Sequence, residues 1–369
     1  MKRMRIAVLF GGKSGEHEVS LVSASAVLAH LDREKYEPVP VAVRKDGGWV
    51  HHPEVLDMMK QRSAELSALP LLVFDQPGSG RLRPLGGGEP LAIDLVFPVL
   101  HGTYGEDGTV QGLLELADIP YVGSGVVGAA VGMDKIIMKM LFHALGFRVT
   151  PFLGITRSRL EQEPERVLDE VETALRFPVF VKPANLGSSV GVVKVNEPHG
   201  LFPALFEAGR YDRRIIVEQG VASPREIEIS VLGNEEPMVS VIGEVRPSKE
   251  FYDYEAKYVD NASELIIPAV LSEAQRREVE VTAVRAFREL DLAGLARVDF
   301  LIERESGAVY LSEVNTMPGF TSISMYPRLW AAAGLSYPEI LNRLIELALD
   351  RYEQKRRTST SVQTAEWFL

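Results

Sequence analysis

A chain of 369 residues exceeds what one hydrophobic core usually serves, so two or three domains are expected, and 46% hydrophobic against 25% charged residues marks them as globular. The net charge of −11 argues against a nucleic-acid partner, which would need clustered Lys and Arg, so any phosphate ligand must be met by a few local cations. With no cysteine, thiol nucleophiles, disulfides and zinc-thiolate sites are excluded.

The first apolar run, Ile6 to Phe10, follows Met-Lys-Arg-Met-Arg and ends at two glycines. It is too short for a signal-peptide core or a membrane span, so a soluble protein of the cytoplasm is expected. The same run reads as a doubly covered strand, followed by Gly11-Gly-Lys-Ser-Gly15 and a helix from about Glu18 to Leu31. Strand, glycine turn and helix recur. Asp94 to Leu100 leads into His101-Gly-Thr-Tyr-Gly-Glu-Asp-Gly108 and a helix through Leu116, and a strand at Ile119 to Val122 reaches another glycine loop. In such sheets the loops at the carboxyl ends of strands line the ligand crevice, and Glu16 and His101 lie on two of them. Taken singly, each reads first as a solvated loop residue.

Gly123-Ser-Gly125-Val-Val-Gly128 fits the dinucleotide fingerprint. The acidic residue expected about twenty positions on is missing, since that region reads Gly146-Phe-Arg-Val-Thr-Pro151, so nicotinamide binding is not expected. Asp134 to Leu145 reads as a packed helix with Ile137, Met140, Leu141 and Leu145 on its apolar stripe and Gly146 as its stop. Lys135 at its start is disfavoured by the helix dipole unless an anion is near.

From Phe180 to Val195 the pattern is strand, small-residue loop, strand. It lacks the Gly-Lys-Ser/Thr and helix of a Walker A loop, yet Ser188, Ser189 and backbone N–H groups could fold over phosphates with Lys182 as a point charge. A plain hairpin tip is the alternative. Glu226-Ile-Glu228-Ile-Ser230 alternates strictly, with its acids toward solvent or a ribose. The aromatic, polar segment around Glu250 to Tyr258 suits a lid that excludes water. Ser272-Glu-Ala-Gln275 is a capping box for a helix to about Leu290, buried along Val279, Ala283 and Phe287.

Two apolar runs, 298–302 and 308–314, flank Glu305-Ser306-Gly307, a three-residue hairpin loop. Folding about Ser306 sets Asp299 opposite Glu313, with Asn315 on the same face. Two carboxylates and an amide oxygen are donors for magnesium, whose other positions take phosphate oxygens and water. An ordinary solvated acidic face stands beside that reading, because a one-residue bulge would break the register.

Together these segments resemble the ATP-grasp superfamily and, within it, the D-alanine–D-alanine ligase family. The resemblance is carried by Phe10 to Ser20, His101 to Gly108, Met133-Asp-Lys135, Lys182 to Gly191, Tyr252 to Tyr258, Arg297-Val-Asp299 and Glu313 to Pro327. It implies an α/β chain with a Rossmann-like domain (1–125), a central ATP-grasp subdomain (126–216), a C-terminal one (217–355) with a lid at 246–262, and a polar tail (356–369). It implies ATP with two magnesium or manganese ions. Phosphates would meet Lys135, Lys182, Ser189 and Lys257, adenine would meet Glu218, Gln219 and Val221, ribose Glu226, and metal Asp299, Glu313 and Asn315.

The implied reaction joins two D-alanine molecules through a D-alanyl phosphate for peptidoglycan synthesis. Glu16 would hold the first ammonium, linked to Ser188 and Tyr258, and Arg297 would steady the oxyanion. His101, Gly319, Ser324 and Met325 would complete the substrate sites. Relatives that make the D-lactate ester commonly carry Phe where this chain has Tyr258, so the dipeptide is expected. Gln219 and Asn185-Leu186 depart from the Lys and Arg-Glu of some relatives. The resemblance also implies a homodimer with no membrane or nucleic-acid partner. A D-alanine–D-lactate ligase, a non-catalytic nucleotide-binding protein and a dehydrogenase are the competing readings.

Overall fold

The computed structural model describes residues 2–246, 264–321 and 323–359. Lys257, Tyr258 and the expected lid, apart from Arg246, lie outside the described residues, as does the tail from 360.

Strand β1 (Met4–Gly11) pairs in parallel with β2 (Tyr36–Val43), and β3 (Trp49–His51) closes one edge. Strands β4 (Leu72–Phe74), β5 (Arg81–Pro84) and β6 (Leu91–Ala92) form a small antiparallel sheet, and β7 (Leu95–Pro98) completes the first sheet in the order β3-β2-β1-β7. The continuous apolar run of β1 is explained by cover on both faces. Ile6, Val8 and Phe10 join one core and Ala7 and Leu9 another. Gly11 must be glycine, because φ is +97° and a Cβ would lie 2.4 Å from the Val43 carbonyl.

Strands β8 (Phe152–Thr156), β9 (Val179–Pro183), β10 (Val193–Val195) and β11 (Arg214–Gln219) form an antiparallel sheet ordered β10-β9-β11-β8. Strands β12 (Pro224–Gly233), β13 (Met238–Arg246), β14 (Glu264–Ile266), β15 (Gly294–Glu303) and β16 (Val309–Asn315) form another, ordered β14-β13-β12-β15-β16. On β12, Ile227, Ile229 and Val231 face the helix Glu273–Glu289, whose Ser272 and Gln275 form the expected capping box. The helix Tyr337–Arg356 instead buries Ile340, Leu341 and Leu344 in the core beneath Ile6, Val8 and Phe10. The two ends of the chain thereby share a core, which brings the C-terminal sheet to the glycine loop after β1.

Three expectations are corrected, the first being the hairpin loop, which runs over residues 304–307 because Glu303 N–H bonds the Ala308 carbonyl. Residues 119–122 contribute only an isolated bridge, Val96 to Tyr121, not a strand. In the helix Lys135–Ala144 the buried residues are Ile136, Met138, Lys139 and Phe142, while Met140 and Leu141 are exposed. The helix was read about one position out of phase, because its inner face contains a lysine.

Candidate active site

Glu16 ends the glycine loop, with its carboxylate buried. Its Oε1 accepts the Ser188 hydroxyl, and its Oε2 has no hydrogen-bond partner among the described residues. Gly102 and Gly187 crowd this group so closely that a Cβ on either would lie 2.6 Å from Oε2. An unpartnered buried carboxylate oxygen is costly, and it offers an ammonium group a strong site.

Beside it, His101 is buried, with Nδ1 3.0 Å from the Met317 carbonyl and Nε2 2.9 Å from Ser23 Oγ. A carbonyl can only accept, so Nδ1 carries the proton and Nε2 accepts from Ser23. Burial pushes the imidazole below its ordinary range, against the pull of Glu16, and keeps the ring neutral. Glu106, on the same loop, accepts from Gly102 N–H at 2.8 Å and Met317 N–H at 3.0 Å. Desolvation, with the nearby Glu16 charge, pushes Glu106 up to about 8.

Across the C-terminal sheet, Glu228, Asp299 and Glu313 form one row, and Ser230, Arg297 and Asn315 the next. Arg297 donates to both Asp299 oxygens at 2.7 Å and lies 3.0 Å from Glu228 Oε2. Burial opposes its charge, but Asp299 and Glu228 outweigh burial and raise its pKa further. Asn315 Nδ2 donates to Asp299 at 2.9 Å. Lys135 Nζ donates to the Leu186 carbonyl at 2.8 Å and lies 3.8 Å from Glu313 Oε2. The hairpin acids are therefore each met by a cation on a half-buried face.

On the central sheet Glu218 takes one lysine per oxygen, Lys182 at 2.6 Å on Oε2 and Lys139 at 3.1 Å on Oε1. Burial would raise the Glu218 pKa, but the two ammonium groups win and hold it down to about 2. Burial pushes the Lys139 ammonium below the usual lysine range, with Glu218 opposing. Gln219 Oε1 accepts the Arg176 N–H at 3.0 Å, which ties the end of β11 to the turn before β9, and Val221 is half-buried just beyond. Glu226 adds to the negative field around Lys182. Ser188 and Ser189 hold left-handed backbone, with φ of +49° and +57°.

Ser324 begins the helix Met325–Ala332 and shares its hydroxyl with Thr321 Oγ1 at 2.8 Å. Gly319 abuts it, since a Cβ there would lie 2.9 Å from Ser324 Oγ. Met325 packs inward against Gly243, Val245 and Leu329.

The sequence matches two family descriptions, "D-ala D-ala ligase N-terminus" over residues 5–124 and "D-ala D-ala ligase C-terminus" over residues 141–346. The D-alanine–D-alanine ligase of Natranaerobius thermophilus is 47% identical over 98% of this chain and 99% of its own length. This chain belongs to the D-alanine–D-alanine ligase family. The family's Heliobacterium modesticaldum enzyme is 48% identical over 98% of both chains. Among solved structures, the D-alanine-D-alanine ligase from Coxiella burnetii superposes with a TM-score of 0.82 at 34% identity, covering 97% of each chain. A D-Ala:D-Ser ligase from Enterococcus faecalis gives 0.82 at 35%, covering 94% of this chain and all of its own. The ATP-grasp fold is thereby established.

Within this family member, contacts link the expected residues in groups: Glu16 to Ser188, His101 to Met317, Lys135 to Leu186 and Glu313, Lys182 to Glu218, and Arg297 and Asn315 to Asp299. Glu106 and Lys139 are not among the expected site residues, and Glu228, expected with Glu226 toward solvent or a ribose, instead lies 3.0 Å from Arg297. Lys139 stands four residues after Lys135, a spacing that puts two side chains on the same helix face.

Proposed function

We propose that the protein ligates two D-alanine molecules to D-alanyl-D-alanine, with ATP converted to ADP and phosphate. The observation that carries the reading is the buried Glu16 oxygen that lacks a partner among the described residues, set between the serine loop and the loop of His101 and Gly102. The first D-alanine places its ammonium on that oxygen. Its carboxylate oxygen attacks the γ-phosphorus, the bond to ADP breaks, and a D-alanyl phosphate forms. The amine of the second D-alanine then attacks the acyl carbon, loses a proton, and phosphate departs.

Two carboxylates and an amide oxygen on one half-buried face are donors of the kind magnesium or manganese takes, and, as the family resemblance implies, Asp299, Glu313 and Asn315 would hold two such ions. The ions would supply charge neutralisation between the attacking carboxylate and the phosphates. Lys135 and Lys182, with Lys257, provide fixed positive charge for the same phosphates, and Ser189 and its neighbouring N–H groups cap them. Glu218, Gln219 and Val221 take adenine, and Glu226 takes ribose. Arg297, held in place by Glu228 and Asp299, meets the oxyanion of the second step. Neutral His101 positions the Met317 carbonyl and, with Gly319, Ser324 and Met325, shapes the substrate sites. Tyr258 favours an amine as second nucleophile over D-lactate.

The domain division at 125 and 216, a homodimer and a cytoplasmic location belong to the same reading. Among the described residues no helix is long and apolar enough to cross a membrane. D-alanine with heavy oxygen in its carboxylate tests the mechanism. One labelled oxygen should appear in the released phosphate, and unlabelled phosphate would rule out the acyl phosphate route.

A further inference from the structure

We propose that Lys139 is a positioning residue, the resident counter-ion of Glu218 that allows Lys182 to leave that carboxylate for the nucleotide phosphates. The inference rests on the nucleotide reading above and adds a residue to it.

The two lysines on Glu218 are not equivalent. The Lys139 side chain is 2% exposed and Lys182 is 19% exposed, so Lys139 is sealed behind the carboxylate and Lys182 stands on its open side. Lys139 is also anchored a second time, by a hydrogen bond to Thr150 Oγ1 at 3.0 Å. The lysines divide the carboxylate, Oε1 to Lys139 and Oε2 to Lys182.

When a polyanion enters, Lys182 divides its charge between the phosphates and Oε2. A buried carboxylate deprived of its sole cation is strongly disfavoured, and beside a triphosphate more so. With Lys139 fixed on Oε1, Glu218 keeps a cation throughout, and the three groups together retain a net positive charge. Without Lys139, Glu218 would retain Lys182 or repel the nucleotide. A lysine buried only for packing would behave differently, since its loss would lower stability without singling out one ligand.

The test is ADP affinity in the presence of Mg2+, measured by calorimetry, together with KM for D-alanine. K139M is expected to weaken ADP about tenfold or more while the D-alanine KM stays within about twofold. T150V, which keeps the charge and releases its anchor, should weaken ADP in the same direction by less. In an E218Q background, adding K139M should cost little further, because the carboxylate needing a counter-ion is gone. Unchanged ADP affinity in K139M, equal losses for ADP and D-alanine, or additive losses in the double variant would each overturn the inference. If K139M does not fold, unchanged ADP affinity in T150V overturns it as well. Failure of the unaltered protein to bind ADP would remove the nucleotide reading itself, and the inference with it.

Discussion

Asp299 faces Glu313 because the ladder between β15 and β16 slips by one residue beside Phe300. From the hairpin tip, Ile302 pairs with Val309 and Phe300 with Leu311, so a regular continuation would set Asp299 against Ser312 and turn Glu313 toward the core beside Val298. The bulge leaves Ser312 unpaired and keeps Glu313 on the open face with Asp299 and Asn315.

Asp299→Asn keeps the shape of this site and removes half of its acid pair. We expect kcat/KM to fall by about a hundredfold or more and the Mg2+ concentration for half-maximal rate to rise. A Mg2+ titration of the initial rate checks this. An unaltered Mg2+ dependence would detach Asp299 from the metal.

Glu16→Gln replaces a buried anion by a neutral amide of the same size. The KM for the first D-alanine should rise roughly tenfold to a hundredfold while that for ATP stays put, since only an ammonium loses a charged partner. Steady-state kinetics with each substrate varied in turn reads the split. Equal effects on both substrates would show that Glu16 serves the loop and not the ligand.

Glu106 gives stability a pH dependence. Its carboxyl rises from 4.5 to about 8 in the fold. An acid with a raised folded pKa stabilises the fold below its unfolded value, and that contribution is lost as pH rises through the folded one. Glu106 should therefore contribute a fall in melting temperature between about pH 5 and pH 8, and Glu106→Gln should remove that contribution. Parallel melting curves for the two proteins would refute it.

The glycine fingerprint at 123–128 serves packing. A Cβ on Gly128 would lie 2.5 Å from the Asp291 carbonyl, and Ser124 Oγ accepts the Ala293 N–H at 3.3 Å. Gly128→Ala should destabilise the protein by about 1–3 kcal/mol in denaturant unfolding. NADH should bind neither protein, and binding to either would reopen the dehydrogenase reading.

Several of these features were legible in the chain because one local pattern fixed them. The β1 run, the Ser272 capping box and the facing acids of the hairpin each follow from periodicity or turn chemistry. The hairpin succeeded for a subtler reason. Its loop is one residue longer than the expected Glu305 to Gly307, since Glu303 N–H bonds Ala308, and the bulge at Ser312 compensates. Hydropathy could not show that Lys139 faces inward, because its burial depends on Glu218, far along the chain. Glu106 was hidden similarly, since its partner Met317 lies far along the chain.

The most direct test is phosphate release from MgATP with D-alanine, L-alanine, or D-alanine plus D-lactate, with the product identified by mass. Phosphate and D-alanyl-D-alanine in equal amounts, formed with D-alanine and not with L-alanine, are predicted. An ester product would contradict the reading of Tyr258, and ATP binding without turnover of any of these substrates would contradict the ligase assignment.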